Sequence, residues 1–308
     1  MRLLKPTALF PGATIGIVAP SSWTEDARLR RGVAWLKKSG FKIKLFLSPQ
    51  LKYGYLSGPD RLRARLFNQA FADPAVAAVI CARGGYGALR MLDKIDFDVI
   101  RGNPKIFVGF SDITALHLAL YKEAGLCSFH GPMAADFGTA YNRQNLLNVL
   151  SSKLPVGKVL FPKNLRPKFM RPGVAAGPLL GGNLSLIVKL CGTPYFPSFR
   201  GVILFLEDIG EYPHRIDGYL AQLRLAGVFD QLAGLILADF KDCERPPRAG
   251  FTMSLKRIFQ DFFGRAPFPV ALNFPFGHSA NKFTLPLGVR AVLDSKKGSL
   301  ILHEAGVA

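Results

Sequence analysis

The sequence predicts an α/β protein: a parallel sheet flanked by helices in the first half, then a smaller mixed α/β or β-rich second half. Three observations carry this. Short apolar runs alternate with segments of helical periodicity through residues 13–124. Some of these runs, such as residues 76–82 (VAAVICA), are apolar at every position, as expected of strands covered on both faces. The end of the chain instead reads as two strands around the polar turn Ser295-Lys296-Lys297-Gly298, a hairpin.

The elements follow in order. Residues 13–19 (ATIGIVA) form a first strand, and Pro20-Ser21-Ser22 reads as a turn and helix N-cap. Helical text runs to Lys38, where Gly40 stops it, and residues 41–47 form the next strand. Asp60 caps a helix that runs to Ala72 and is closed by Asp73-Pro74. Residues 76–82 and 105–110 are further strands, the second leading at once into a helix over 112–124. Residues 151–178 carry five prolines and little periodicity, so they read as a linker between units 1–150 and 179–308. In the second unit, helices are expected over 184–190, 215–226 and 255–263, and strands over 202–206 and 235–240.

Composition removes several function classes. No apolar stretch approaches the ~20 residues of a membrane span. Pro6, Pro11 and Gly12 break up any leader-like apolar core, so a cytoplasmic protein is expected. Cys81, Cys127, Cys191 and Cys243 are scattered without a C-x-x-C pair, which argues for buried reduced thiols and against zinc. The net charge of +19 admits nucleic acid, an anionic small substrate, or a generally basic proteome. No nucleic-acid-binding signature accompanies it, and of the densest basic clusters, Arg28-Arg30-Arg31, Arg61-Arg63-Arg65 and Lys163 to Arg171, the first two lie on amphipathic helices, so no nucleic-acid partner is expected.

Four segments carry chemistry. In KIFVGFSDITAL a buried strand turns sharply into a helix at Ser111, which places a hydroxyl beside unpaired helix N–H groups. Ile113 stands where G-x-S-x-G would have its last glycine, and a simple helix cap is the alternative. In ARGGYG the glycines Gly84, Gly85 and Gly87 can bring backbone N–H groups to an anion. A dinucleotide fingerprint would need glycine where Arg90 stands, so no nucleotide cofactor is expected. Glu207 and Asp208 close a strand, and His278 lies in a polar turn after Phe276-Gly277. His278 is the natural general base. His117 lies on the packed side of a helix, His303 lies near the terminus, and His130 and His214 are placed on loops. The order Ser…Glu…His is one that a catalytic triad can use.

These segments resemble the LD-carboxypeptidases, the S66 serine peptidases. The resemblance runs through GATIGIVAPSS, YGYLSGPDRLRARLFNQAFADP, ARGGYG, GFSDITAL, GPLLGGNLSL, LFLEDIGEYPHRID and FGHSANKFTLPLG. It implies a flavodoxin-like N-terminal domain, with the active site between it and the C-terminal domain, in a homodimer. It implies Ser111 as nucleophile, Glu207 as orienting carboxylate and His278 as base. Gly85 and the N–H of Asp112 would form the oxyanion hole, with no metal or other cofactor. The implied substrate is a muropeptide, the cytoplasmic murein tetrapeptide of cell-wall recycling, which loses its terminal D-alanine. A second branch resembles microcin-immunity peptidases. A Ser-His-Glu esterase or amidase, and a non-catalytic binding module, are the competing classes.

Overall fold

The computed structural model describes residues 3–47, 51–244 and 253–308. The first half contains β1 (Thr14–Val18), α1 (Asp26–Lys38), β2 (Lys42–Phe46), α2 (Asp60–Ala72), β3 (Val76–Cys81), α3 (Phe97–Gly102), β4 (Ile106–Gly109), α4 (Thr114–Ala119), β5 (Phe129–His130) and α5 (Ala140–Ser151). The second half contains β6 (Gly157–Lys158), β7 (Lys168–Arg171), β8 (Val174–Asn183), α6 (Leu184–Leu190), β9 (Ile203–Ile209), α7 (Pro213–Leu225), β10 (Gly234–Lys241), α8 (Leu255–Phe263), β11 (Val270–Leu272), β12 (Leu285–Pro286), β13 (Arg290–Asp294) and β14 (Ser299–Leu302).

Among the described residues the first sheet has six strands, in the order β12-β5-β4-β3-β1-β2. β1 to β5 run parallel, and β12 pairs antiparallel with β5. The order 2-1-3-4-5 is that of flavodoxin-like sheets, which bind ligands outside the carboxyl ends of their strands, where the strand order reverses. That reversal falls between β1 and β3, so the loops after β1, β3 and β4 border one crevice. The continuous apolar runs are explained by burial on both faces: every residue of β4, and every residue of β1 except Thr14, is buried.

α2 shows how the helices attach. Ala64, Phe67, Ala70 and Phe71 recur at helical spacing on its buried side. Phe67 and Phe71 meet Phe107 of β4 at ring-centroid distances of 5.4 and 6.1 Å. Each such buried phenylalanine contributes about 1.5–3 kcal/mol.

Two cap expectations are corrected. The N-cap of α2 is Pro59 rather than Asp60, which is the first helical residue. The Asp60 carboxylate instead pairs with Arg63 and with Arg90, 3.0 Å away. α1 starts at Asp26, so Ser21 and Ser22 stay in the loop after β1, where their hydroxyls serve the crevice described below.

The second sheet has eight described strands, ordered β6-β14-β13-β8-β9-β10-β11-β7. β8 to β11 are parallel and the flanking strands antiparallel, so this sheet is mixed. The hairpin over 290–302 forms as expected. Residues 151–178, read as a linker, hold β6, β7 and the start of β8. Pro155 precedes β6, and Pro162, Pro167 and Pro172 fall between those strands, where no ladder N–H is needed.

Candidate active site

Ser111 sits at an elbow between β4 and α4. Phe110 is extended (φ −156°), and Ser111 opens a 3₁₀ turn over Ser111–Ile113 with φ at +65°. For a non-glycine residue that conformation stores roughly 1–3 kcal/mol and persists only where its surroundings enforce it. The other described non-glycine residues with positive φ are Asp242 and Asn273, types that tolerate the left-handed region. Ile113, the departure from G-x-S-x-G, folds back over Gly109. A Cβ on Gly109 would come within 2.7 Å of the Ile113 side chain, so here the glycine that permits the tight turn precedes the serine.

The glycine loop after β3 closes the other side of the crevice. Gly85 has φ +110°, and a Cβ there would lie 2.4 Å from the Ser22 hydroxyl. That hydroxyl accepts from the Tyr86 N–H at 3.2 Å. Asp112 turns its carboxylate inward and is almost fully buried. It accepts from the Ser21 hydroxyl at 2.6 Å and from the Ala88 N–H at 2.8 Å. One carboxylate thus joins the loops after β1, β3 and β4. The N–H of Asp112 stands in the first turn of its helix, where intrahelical acceptors are lacking.

Glu207 and Asp208 are neighbours on β9 and project to opposite faces. Glu207, fully buried, accepts from His278 Nδ1 at 2.6 Å. This bond assigns the proton to Nδ1 and leaves His278 Nε2 free to accept from Ser111 Oγ, 3.0 Å away. The imidazole also packs on the Phe110 ring at 5.0 Å. Asp208 accepts from Asn183 Nδ2, the Ser185 N–H and its own Ile209 N–H, at 2.9, 2.9 and 2.8 Å. Burial, and then the Glu207 charge, push its pKa up to about 6.

A stability test follows from that shift. A carboxyl raised in the folded state stabilises fully below its unfolded pKa, and the contribution is lost as pH rises through about 6. The advantage of wild type over Asp208→Asn is therefore expected to shrink between pH 4 and 7, by on the order of 3 kcal/mol. Unfolding midpoints across that range check this, and an advantage that grows with pH would contradict it.

Two ionisable residues near Ser111, His278 and Glu207 escaped sequence reasoning. Lys282 is buried, donates to the Ser279 carbonyl at 2.8 Å and lies 5.3 Å over the Phe110 ring. Burial lowers its pKa. Asp239 of β10 has its pKa raised by burial and by the nearby Glu207 charge. In the sequence, Lys282 belongs to a polar turn and Asp239 ends an apolar strand, patterns shared with solvated residues.

The remaining histidines have other roles. His117 is buried, with Nε2 2.9 Å from the Gly109 carbonyl and Nδ1 2.8 Å from the Ser128 hydroxyl. Burial lowers its pKa to about 4. His130, placed on a loop by the sequence, lies in the two-residue strand β5, fully enclosed. Such a short strand leaves no periodicity to read. His214 belongs to α7 and stacks on Tyr212 at 5.7 Å. The four cysteines are free thiols, three buried and Cys191 half-buried. Among the described residues, no cluster of three or more His, Cys, Asp or Glu could hold a metal, and no helix is long and apolar enough to cross a membrane.

Ser111 and His278 open into a cleft of about 170 Å³ that is also lined by Gly84, Gly85, Arg28 and Arg83. Such a cleft can present a carbonyl to the serine while the buried carboxylate steadies an imidazolium. The fold and this constellation define a serine-type hydrolase. The family model for the LD-carboxypeptidase N-terminal domain matches residues 15–131, and that for the C-terminal domain matches 176–293. The chain belongs to the LD-carboxypeptidase family and is a serine-type carboxypeptidase.

Its relatives include the probable murein peptide carboxypeptidase of Bacillus subtilis, 36% identical over 99% of this chain and 95% of that protein. The murein tetrapeptide carboxypeptidase of Pseudomonas aeruginosa is 31% identical over 92% of this chain and 94% of that protein. Among solved structures, the microcin C7 self-immunity protein MccF, in complex with aspartyl sulfamoyl adenosine, matches with a TM-score of 0.90 at 25% identity, covering 99% of this chain and 100% of that one. The muramoyltetrapeptide carboxypeptidase of Oxalobacter formigenes matches with a TM-score of 0.81 at 31% identity, covering 94% and 98%.

Proposed function

We propose that this carboxypeptidase removes the terminal D-alanine from the murein tetrapeptide L-Ala–γ-D-Glu–diaminopimelate–D-Ala, cleaving an L,D-peptide bond in cytoplasmic cell-wall recycling. The observation that carries the reading is the hydrogen-bonded line Ser111–His278–Glu207, at 3.0 and 2.6 Å, in a chain similar to murein peptide carboxypeptidases.

In this reading, Ser111 Oγ attacks the carbonyl carbon of the third residue while its proton passes to His278 Nε2. The oxyanion is held by the N–H groups of Gly85 and Asp112. Collapse breaks the C–N bond, and the imidazolium gives its proton to the departing D-alanine amine. Water, deprotonated by the same imidazole, then attacks the acyl-enzyme and restores Ser111. Glu207 keeps the proton on Nδ1 and stabilises the imidazolium. Arg28 and Arg83 line the cleft and are available to the terminal carboxylate. The active protein is a homodimer in this reading.

The test compares three tetrapeptides at fixed salt: the natural one, one ending in L-Ala, and one with the terminal D-Ala amidated. Both changes are expected to lower kcat/KM by about a hundredfold or more, because a site built for a charged group in one orientation is left unpaired. Comparable values would point to a broader amidase. A second reading, hydrolysis of a peptidyl nucleotide, rests on the TM-score of 0.90 to MccF. Faster turnover of a peptidyl nucleotide than of the tetrapeptide would favour it.

A further inference from the structure

Ser111 and His278 are 167 residues apart in the chain, yet their side chains meet at 3.0 Å. Ser111 stands on an elbow between a strand and a helix. His278 lies on a turn instead. Residues 273–284 hold no strand or helix, so no ladder fixes them. His278, Ser279 and Asn281 are half-buried and Ala280 is exposed, so packing holds the turn weakly as well. The turn closes on itself through the Phe283 N–H, which donates to the Pro275 carbonyl at 2.8 Å, and through the Lys282 ammonium on the Ser279 carbonyl. Neither bond ties it to the half of the chain that carries Ser111.

Asn142, in the first turn of α5, makes that tie. It is fully buried. Asn142 Oδ1 accepts from the Lys282 N–H at 2.8 Å, and Asn142 Nδ2 donates to the Ala280 carbonyl at 3.0 Å. One carboxamide thus meets an acceptor and a donor two residues apart, as a residue on a neighbouring strand would. Aspartate would lack the donor, and leucine both groups. Thr139, the N-cap of α5, adds a bond from its hydroxyl to Asn281 Oδ1 at 2.8 Å. Gly138 makes room for the clamp: its φ is +62°, and a Cβ there would lie 2.4 Å from Asn142 Nδ2. Asn142 does not line the cleft at Ser111, so it acts on the reaction only through the turn.

Resting on the hydrolysis proposed above, we propose that Asn142 is a positioning residue for His278: its carboxamide registers the turn that carries the imidazole to the half of the chain that carries Ser111. The two groups that exchange the proton are thereby held on one frame. The clamp is firm because the Lys282 N–H and the Asn142 carboxamide are buried, and a buried polar group left unpaired is costly. The imidazole is then held at two levels, through its ring by Glu207 and through its backbone by α5.

Two measurements test this. The first is kcat and KM for D-alanine release, with unfolding midpoints to confirm that each variant is folded at the assay temperature. Asn142→Leu is expected to lower kcat by about a hundredfold, the scale of a ~1 Å misplacement of a reacting group, with KM little changed. Asn142→Asp keeps the acceptor for Lys282 and loses the donor, so its kcat falls by about tenfold, the equivalent of one hydrogen bond. It is nearly isosteric and carries the test should the leucine variant not fold. Gly138→Ala displaces the amide and is expected to lower kcat without touching His278. Asn145→Leu is the control, since Asn145 is buried on the same helix but donates to the Tyr141 carbonyl, 2.8 Å away within α5. That variant is expected to lose stability and keep the kcat of wild type. The second measurement is the proton NMR signal of the His278 Nδ1–H in the free protein, identified by its loss in His278→Ala. The signal is expected to shift or broaden in Asn142→Leu and in Asn142→Asp, and to stay in place in Asn145→Leu. A kcat for the Asn142 variants near that of wild type, a fall matched by Asn145→Leu, or an unmoved Nδ1–H signal overturns the positioning role. Absence of D-alanine release by wild type, with the signal moved by the Asn142 changes alone, overturns the hydrolysis and leaves the positioning of His278 standing.

Discussion

Ser111→Ala is expected to lower kcat/KM by ~10⁴–10⁶-fold, the scale seen when a triad nucleophile is removed. The fold should survive. The change deletes one hydroxyl bonded to His278 at 3.0 Å and no core packing, so the stability cost stays below about 2 kcal/mol. The positive φ of Ser111 adds a second arm. Alanine keeps that strain, whereas glycine relieves it, so Ser111→Gly should be as inactive as Ser111→Ala but more stable by roughly 1 kcal/mol. Chromatographic rates and denaturant midpoints read the two effects separately. Activity within about tenfold of wild type in either variant would remove Ser111 from the nucleophile's role.

Glu207→Gln is expected to slow turnover by ~10³–10⁴-fold, while Asp208→Asn costs activity little. The amide cannot stabilise an imidazolium, and its NH₂ can turn toward Nδ1 and put the ring proton on Nε2, where it blocks acceptance from Ser111. Asp208 faces the other way, toward Asn183 and Ser185, and reaches His278 only through the backbone of β9. Steady-state kinetics on the two variants, with unfolding midpoints as a control, decide between the carboxylates. If Asp208→Asn is the more damaging, the orienting role belongs to Asp208.

The legible and illegible parts of this chain divide along physical lines. Strands buried on both faces, such as β3 and β4, announce themselves because every position must be apolar. The elbow at Ser111 is legible because a strand runs into a helix with no residues to spare, and the geometry now brings it to His278 and Glu207. Strands of two residues, β5, β6 and β12, leave no pattern, and the prolines between β6, β7 and β8 give that stretch the look of a linker. Ser21 and Ser22 read as a cap because a serine pair between a strand and helical text satisfies the capping signature. Their hydroxyls are instead used by Asp112 and the Tyr86 N–H, partners 91 and 64 residues away that local sequence cannot point to. Lys282 is hidden for the same reason, since its burial depends on Phe110 from the other half of the chain.

The path of the chain after β11 has a bearing on how the protein is made. From the second sheet it runs through His278 into β12, which pairs with β5 of the first sheet, and then returns to β13 beside β8. His278 therefore rides on a crossing between the two sheets, late in the order of synthesis. A nascent chain that has reached α8 carries the elbow and the buried carboxylate but not His278. The hydrogen-bonded line through Ser111, His278 and Glu207 can therefore close only once the chain beyond α8 has been made.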